Sequence, residues 1–206
     1  MNIPFNIYLI GDKNLFDSEE KYLSALKECF DNGIKAFQLR QKELTVREIM
    51  NLGEKIKKLI KNYKDIYFIV NDRIDIALAL EANGVHLNKN SVPAYAVKEK
   101  CPELMVFYSS HSVNEALEME KKGVDAVTFS PIFKTKNMDF EHSTKSLKQL
   151  ANVLQIPIFA LGGINQNNIR EIKEACVNRI AIQSGILRQN DIAGSVKSLI
   201  SALNLN

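Results

Sequence analysis

The sequence of 206 residues predicts an α/β protein with a (β/α)8 barrel, the TIM-barrel fold, in a single domain covering residues 1–206. Eight short apolar runs recur along the chain, each followed by small or polar residues and then by a helical pattern. Near-continuous apolar runs are typical of parallel strands buried on both faces, and the intervening helices suit right-handed crossovers. No linker rich in Pro, Ser or Gly interrupts this rhythm, so one closed barrel accounts for the whole chain.

The predicted strands are the apolar runs themselves. In chain order they cover residues 6–10, 36–39, 66–70, 84–87, 105–108, 126–129, 158–161 and 180–182. Parallel strands of a closed barrel bring all their C-terminal ends to one rim, and that rim carries the active site in this architecture. The residues directly after each run are therefore the candidates for function.

Helix boundary signals support the segments between the strands. Thr45 with Glu48, and Ser112 with Glu115, have the spacing of a capping box, in which two side chains satisfy free amides at a helix start. Gly33 is typical of a residue that ends a helix. After the sixth strand, residues 131–144 lack regular periodicity, which predicts a long loop, either a lid over the rim or an ordinary insertion.

Composition and charge exclude several classes of function. The net charge is +3, there is no Trp, and the lysines are spread over predicted helix faces, so we expect no nucleic acid partner. No apolar run approaches about 18 residues, so we expect no membrane partner. The N-terminus lacks the basic region of a signal peptide. Three cysteines without CxxC spacing, among them Cys29 and Cys176 on predicted helices, favour buried free thiols and a cytoplasmic location. A homo-oligomer stays open.

The ends of the last two predicted strands indicate a phosphate site. Gly162 and Gly163 follow strand seven directly, and Gln183, Ser184 and Gly185 follow strand eight. Small residues let the backbone approach an anion, and the free amides at a helix start attract it. Phosphate sites after strands seven and eight recur in this barrel. The pattern favours a phosphate monoester, and the alternative is that the glycines only permit a tight turn.

A cationic group ends strand two. Gln38 and Arg40 alternate along the strand and therefore share a face, with Lys42 beyond them at the rim. The planar fork of Arg40 and the point charge of Lys42 suit a second anionic group such as a diphosphate. The alternative is a pair of solvated cations at a strand end.

Strands three and five end in further polar residues. Asn71 and Asp72 end strand three, and Asp72 can either fix the neighbouring cations or hold Mg²⁺ beside phosphates. His111, close to Ser109 at the end of strand five, is a candidate proton carrier, with helix capping as the alternative role. His86 lies within strand four and is interpreted as a buried residue of the barrel.

Taken together, these residues resemble the thiamine phosphate synthase family, which includes the thiazole tautomerases of the TenI type. The motifs are Tyr8 with Asp12, Gln-Leu-Arg-Gln-Lys at 38–42, Asn-Asp-Arg-Ile-Asp-Ile-Ala at 71–77, Gly-Val-His-Leu at 84–87, Ser-Ser-His at 109–111, Ser-Pro-Ile-Phe at 130–133 with Thr135, Ala-Leu-Gly-Gly-Ile at 160–164 and Ser-Gly-Ile at 184–186. The resemblance spans nearly the whole chain and keeps the order of the motifs. It implies an enzyme that binds a thiazole phosphate.

The resemblance implies a role for each residue. In the synthase, a pyrimidine diphosphate ionises, and the nitrogen of a thiazole phosphate captures the carbocation as diphosphate leaves. The implied roles are pyrimidine contact for Tyr8 and Gln38, diphosphate binding for Arg40, Lys42 and Asn71, a Mg²⁺ ligand at Asp72, proximity to the reacting groups for Ser109, and thiazole phosphate binding for Thr135, Gly163 and the Ser184 turn. The tautomerases need only the thiazole phosphate site and a proton carrier, here His111.

Two positions depart from the synthase pattern. Ser91 stands where synthases have a second aspartate for Mg²⁺, and Met138 stands where they have a lysine on the diphosphate. The loss of both charges weakens the stabilisation of departing diphosphate. Whether Lys89, Lys134 or Lys136 replaces the missing charge stays open.

These departures favour a TenI-like thiazole tautomerase, an isomerase that needs no cofactor. The alternative is a thiamine phosphate synthase, a transferase that uses Mg²⁺ and binds a pyrimidine diphosphate as well as the thiazole phosphate. A second alternative is a non-catalytic regulator that binds thiazole phosphate.

Overall fold

A computed structural model describes residues 3–134 and 143–204 of the chain. All its strands run parallel and close into a barrel in chain order, with the last strand pairing with the first. The strands are β1 (Ile7–Gly11), β2 (Ala36–Leu39), β3 (Tyr67–Asn71), β4 (Gly84–Leu87), β5 (Met105–Ser110), β6 (Ala126–Phe129), β7 (Ile158–Leu161) and β8 (Ile180–Ile182). The predicted (β/α)8 barrel is confirmed.

Helices surround the barrel. They are α1 (Glu19–Asp31), α2 (Val46–Ile60), α3 (Ile74–Ala79), α4 (Ala94–Lys100), α5 (Val113–Lys121), α6 (Thr144–Val153), α7 (Ile169–Glu174), α8 (Ser184–Leu187) and α9 (Ile192–Asn204), with a 3-10 helix at Lys13–Leu15. The capping box at Thr45 is present, and the Thr45 amide donates to the Glu48 carboxylate over 2.8 Å. In residues 3–134 and 143–204, no helix is long and apolar enough to cross a membrane.

The strand bounds differ from the predicted ones mainly at β5. β1 and β3 each lie one residue further along the chain than predicted, whereas β5 continues two residues beyond Tyr108 to Ser110. Ser109 and Ser110 pair with Thr128 and Phe129 of β6. Ladder hydrogen bonds use backbone groups only, so polar side chains do not end the strand. The extension places the Ser109 hydroxyl on the barrel wall.

Aromatic side chains pack the interior of the barrel. Phe5, Tyr8, Phe107 and Phe159 belong to one buried cluster, in which the ring centroids of Phe107 and Phe159 lie 5.7 Å apart. A second buried cluster lies between the strands and the surrounding helices. Cys29, Cys101 and Cys176 are free thiols. Cys29 is buried as predicted, whereas Cys176 is exposed because it lies in the turn after α7. The interior is a filled core, so open space for a ligand lies at the end of the barrel.

Candidate active site

A cavity of about 720 Å³ opens at the rim formed by the C-terminal ends of the strands. The predicted site residues that line it are Gln38, Arg40, Lys42, Asn71, Ser109, His111, Gly162 and Gln183. The remaining lining residues are Ile10, His86, Asn88, Lys89, Asn90, Ser130, Pro131 and Leu161. Each strand, or the loop that follows it in the chain, contributes a side chain to the wall. The cavity is therefore centred on the barrel axis.

Some predicted site residues lie beside this wall or outside the described ranges. Gly163, Ser184 and Gly185 directly follow the lining residues Gly162 and Gln183. Asp72 lies directly after Asn71, at the end of β3. The residues that fall outside the described ranges are Thr135, Lys136 and Met138.

Tyr8 lies below the cavity and not on its wall. Its side chain is fully buried in the barrel interior, and its hydroxyl accepts a hydrogen bond from Gln38 Nε2 over 2.9 Å. Alternate residues of β1 face the interior, and Ile10, one layer closer to the rim, lines the cavity in its place. The position of Tyr8 therefore does not support the predicted contact with a pyrimidine.

Three cations give the β2–β4 side of the cavity a positive charge. Arg40, Lys42 and Lys89 all line the wall. Burial lowers the pKa of the Arg40 guanidinium, and the negative charge of Asp12 opposes this shift. A guanidinium stays charged in proteins, and partial removal from water strengthens its field on a bound anion. Lys89, which the sequence left open as a replacement for the missing charge, lies two residues after β4 and lines this wall.

Asp72 and Ser91 join the loops after β3 and β4. The Ser91 hydroxyl donates to the Asp72 carboxylate and accepts from the amide of Asn88 over 2.9 Å. Asp72 has a φ of 64°, a left-handed conformation that aspartate tolerates better than most residues. Ser91 therefore orients the Asp72 carboxylate. Within residues 3–134 and 143–204, no three His, Cys, Asp or Glu side chains cluster as a metal site.

His111 is held in one tautomer at the cavity wall. Its Nδ1 lies 2.9 Å from the backbone carbonyl of Ser130. Because a carbonyl only accepts, Nδ1 carries the proton, and Nε2 is the nitrogen left to exchange a proton with a ligand. The capping-box spacing predicted that the Ser112 amide donates to the Glu115 carboxylate. Instead, the His111 amide donates to this carboxylate over 2.7 Å. Ser112 still caps α5 by accepting from the Glu115 amide over 3.1 Å.

The turns after β7 and β8 border another part of the cavity. Gly162 and Gly163 have positive φ values of 103° and 66°. A Cβ on Gly162 would lie 2.8 Å from Pro131 Cα, and one on Gly163 would lie 2.8 Å from Phe133 Cβ. The close packing of the loop after β6 therefore requires both glycines, whether or not they approach an anion. Gln183 Nε2 is buried with no hydrogen-bond partner in the part of the chain that the structure describes.

The family of the chain follows from comparison with known proteins. A family model described as thiamine monophosphate synthase matches residues 7–186, a range that includes all eight strands. The chain belongs to the thiamine monophosphate synthase family. The predicted family is therefore confirmed, and this family member is an enzyme of thiamine biosynthesis.

Individual relatives of this family member match over nearly their full length. It is 32% identical over 208 residues to the thiamine-phosphate synthase of Clostridium acetobutylicum, covering 100% of this chain and 98% of the relative. It is 33% identical over 195 residues to the thiamine-phosphate synthase of Pyrococcus furiosus, covering 94% and 92%. A solved structure, the thiamine phosphate pyrophosphorylase from Pyrococcus furiosus, superposes with a TM-score of 0.86 at 32% identity, covering 96% of this chain and 95% of that one.

Proposed function

We propose that this family member is a thiamine phosphate synthase, a transferase that joins a pyrimidine diphosphate to a thiazole phosphate and releases diphosphate. The observation that carries the proposal is that Arg40 and Lys42 line the same cavity as the β7 and β8 turns. Arg40 and Lys42 follow β2, which lies three strands from β7 and two from β8 in the closed barrel, so the cations and these turns occupy separate parts of the rim. Two anionic groups therefore have room to bind, one in each part.

The relatives from Clostridium acetobutylicum and Pyrococcus furiosus are named as synthases. They therefore support the transferase over the tautomerase that the sequence favoured. The preference for the tautomerase depended on Ser91 and Met138. Lys89 lies on the cavity wall and supplies a positive charge near the position that Ser91 leaves neutral. Met138 lies outside the described residues, so it carries no structural argument for either activity.

The cavity residues bind the two substrates and stabilise the charge that develops as diphosphate leaves. Arg40 and Lys42 bind the diphosphate, and Asn71 adds an amide at the end of β3. As the bond to diphosphate breaks, negative charge grows on the leaving oxygen, and fixed positive groups stabilise this charge better than mobile water does. The thiazole phosphate binds at the turns after β7 and β8, which holds its ring nitrogen near the carbon that loses diphosphate.

The oxygen donors beside this wall fit Mg²⁺. The Asp72 carboxylate is fixed by the Ser91 hydroxyl, and the cavity wall nearby includes Asn71, the last residue of β3, and Asn88, the first residue after β4. Mg²⁺ prefers oxygen ligands and is typically held by one or two carboxylates together with substrate phosphates. Asp72 would hold the ion, which when bound supplies positive charge to the diphosphate.

The test is the formation of thiamine phosphate by purified protein from the pyrimidine diphosphate, the thiazole phosphate and Mg²⁺. We expect product and diphosphate in equal amounts, and complete loss of turnover when EDTA removes the metal. A parallel assay follows the conversion of the thiazole carboxylate tautomer to its aromatic form. Conversion of that tautomer without any coupling product would contradict the proposal. Binding of thiazole phosphate with neither reaction would indicate a regulator.

A substitution at Ser91 tests the metal site. Ser91→Asp places a second carboxylate beside Asp72, and more negative ligand charge raises the affinity for a divalent cation. We expect the Mg²⁺ concentration for half-maximal turnover to fall by about tenfold, the equivalent of roughly 1.4 kcal/mol. Ser91→Asn, of similar size without charge, is the matched control. Equal Mg²⁺ dependence of both variants would place the metal away from Asp72.

A further inference from the structure

Four polar side chains form a continuous hydrogen-bonded chain that runs from the cavity wall at Gln38 through Tyr8 in the barrel interior and back to the wall. Gln38 Nε2 donates to the Tyr8 hydroxyl over 2.9 Å, and this hydroxyl lies 3.2 Å from His86 Nδ1. His86 Nε2 lies 2.9 Å from the Ser109 hydroxyl oxygen. The chain crosses β2, β1, β4 and β5, and Gln38, Tyr8 and His86 are buried. Ser109 ends it at the cavity wall.

We infer that Tyr8 and His86 are positioning residues that make the Ser109 hydroxyl a hydrogen-bond donor toward the bound substrate. This part of the cavity therefore selects a ligand atom with a lone pair, either a ring nitrogen or a phosphate oxygen. The inference concerns how the site recognises its substrate, and only its kinetic assay rests on the proposed synthase function.

The direction of the protons follows from the chemistry of each partner. An amide nitrogen only donates, so the Tyr8 oxygen accepts from Gln38 and its own proton goes to His86 Nδ1. A neutral imidazole has one N–H, which must then lie on Nε2. Its nearer acceptor is the Ser109 oxygen at 2.9 Å, since the Thr128 hydroxyl lies 3.4 Å away. With its oxygen engaged as an acceptor, Ser109 has its own proton available for a ligand in the cavity.

The reverse direction leaves a buried proton without an acceptor. If Nδ1 carried the imidazole proton, the Tyr8 oxygen would accept twice, from Gln38 and from His86. Within residues 3–134 and 143–204, the Tyr8 hydroxyl has hydrogen-bond partners only in these two side chains. A buried donor without a partner is costly, so the direction toward Ser109 is favoured.

The surroundings keep both positioning residues in their neutral forms. Burial, with a further contribution from the positive charge of Arg40, lowers the pKa of His86 to about 3. Burial raises the pKa of the Tyr8 phenol well above its ordinary value. The His86 ring also stacks on Tyr8 with centroids 5.7 Å apart and on Phe107 with centroids 6.1 Å apart. The packed rings fix the orientation of the imidazole between Tyr8 and Ser109.

The tautomer of His86 is the first test, and it needs no substrate. NMR of protein with ¹⁵N-labelled histidine distinguishes the two neutral tautomers, and the His86→Gln variant assigns the signal among the three histidines. We expect the Nε2–H form at neutral pH. The Nδ1–H form would overturn the inference, since His86 Nε2 would then be an acceptor and could not donate to the Ser109 oxygen.

A double-mutant cycle tests whether Tyr8 acts through Ser109. Tyr8→Phe removes one hydroxyl from the chain, and we expect it to raise the KM or lower the kcat of coupling by roughly three- to tenfold, the range of a single hydrogen bond. The same change in a Ser109→Ala background should have no further effect. Additive losses would show a merely structural role and overturn the inference. Tyr22→Phe, which removes an equally buried hydroxyl from α1, is the matched control.

Ligand binding separates this inference from the proposed function. The affinities of inorganic diphosphate and of the unphosphorylated pyrimidine alcohol are measured by calorimetry for the wild-type protein and for Tyr8→Phe. A weaker affinity for diphosphate alone identifies a phosphate oxygen as the acceptor, and a weaker affinity for the alcohol alone identifies a ring nitrogen. Unchanged affinity for both would overturn the inference. Absence of coupling by the wild-type protein would refute the synthase but leave the tautomer and the binding results valid.

Discussion

Arg40→Ala is expected to lower kcat/KM for the pyrimidine diphosphate by about 100- to 1,000-fold, the effect of removing one fixed group that stabilises transition-state charge. Arg40 lines the cavity, and the surrounding protein partly removes its guanidinium from water. The substitution also leaves the negative charge of Asp12 without its cationic neighbour, on the side where diphosphate binds. Steady-state kinetics with varied pyrimidine diphosphate measure the loss.

The affinity for thiazole phosphate should stay within about twofold in the same variant, because other strands separate β2 from the turns after β7 and β8 and salt screens much of a charge's effect beyond about 10 Å. Calorimetric titration with thiazole phosphate checks this. Arg40→Lys keeps the charge and loses the bidentate fork. Its kcat/KM for the pyrimidine diphosphate should therefore lie between those of Arg40→Ala and the wild-type protein. Arg47→Ala, at an exposed position of α2, is the control. Equal loss of both affinities in Arg40→Ala would contradict two separate anion sites.

The fold could be predicted from the sequence because the barrel depends on a pattern that every unit repeats. Each strand is buried on both faces, so its run is apolar regardless of the particular side chains. The ends of the strands are less predictable, since they depend on backbone pairing with a neighbour. Ser109 and Ser110 look like loop residues by polarity, yet they continue the ladder with β6.

The site could be predicted only as far as the topology determines it. Arg40 and Lys42 reach the rim because residues directly after parallel strands must meet there. The depth of Tyr8 could not be predicted, because it depends on which layer of the barrel each residue of β1 occupies. The contact of Ser91 with Asp72 depends on two loop conformations, including a left-handed residue that local sequence does not specify.

Gly162→Ala is expected to lower the free energy of unfolding by about 2–5 kcal/mol, the sum of a left-handed backbone cost and an overpacking cost. Gly162 has a φ of 103°, and the added Cβ would lie 2.8 Å from Pro131 Cα and 3.2 Å from the Ile132 amide nitrogen. Gly123→Ala is the matched control, because Gly123 has a φ of 82° but no atom within 4 Å of the added Cβ. Gly123→Ala should lower the free energy of unfolding only by the cost of the left-handed backbone, about 1–2 kcal/mol. Urea unfolding of both variants gives the difference.

Gly162→Ala also distinguishes a role of this glycine turn in loop packing from a role in phosphate binding. To relieve the clash, the loop after β6 must move, although its Phe133 amide donates to the Gly162 carbonyl over 3.1 Å. That loop begins beside Ser130, whose carbonyl fixes the tautomer of His111. We therefore expect the KM for thiazole phosphate to rise in Gly162→Ala and to stay unchanged in Gly123→Ala. Equal losses of stability in the two variants would argue against loop packing, whereas a stability loss with unchanged KM would limit Gly162 to packing and place the phosphate elsewhere on the rim.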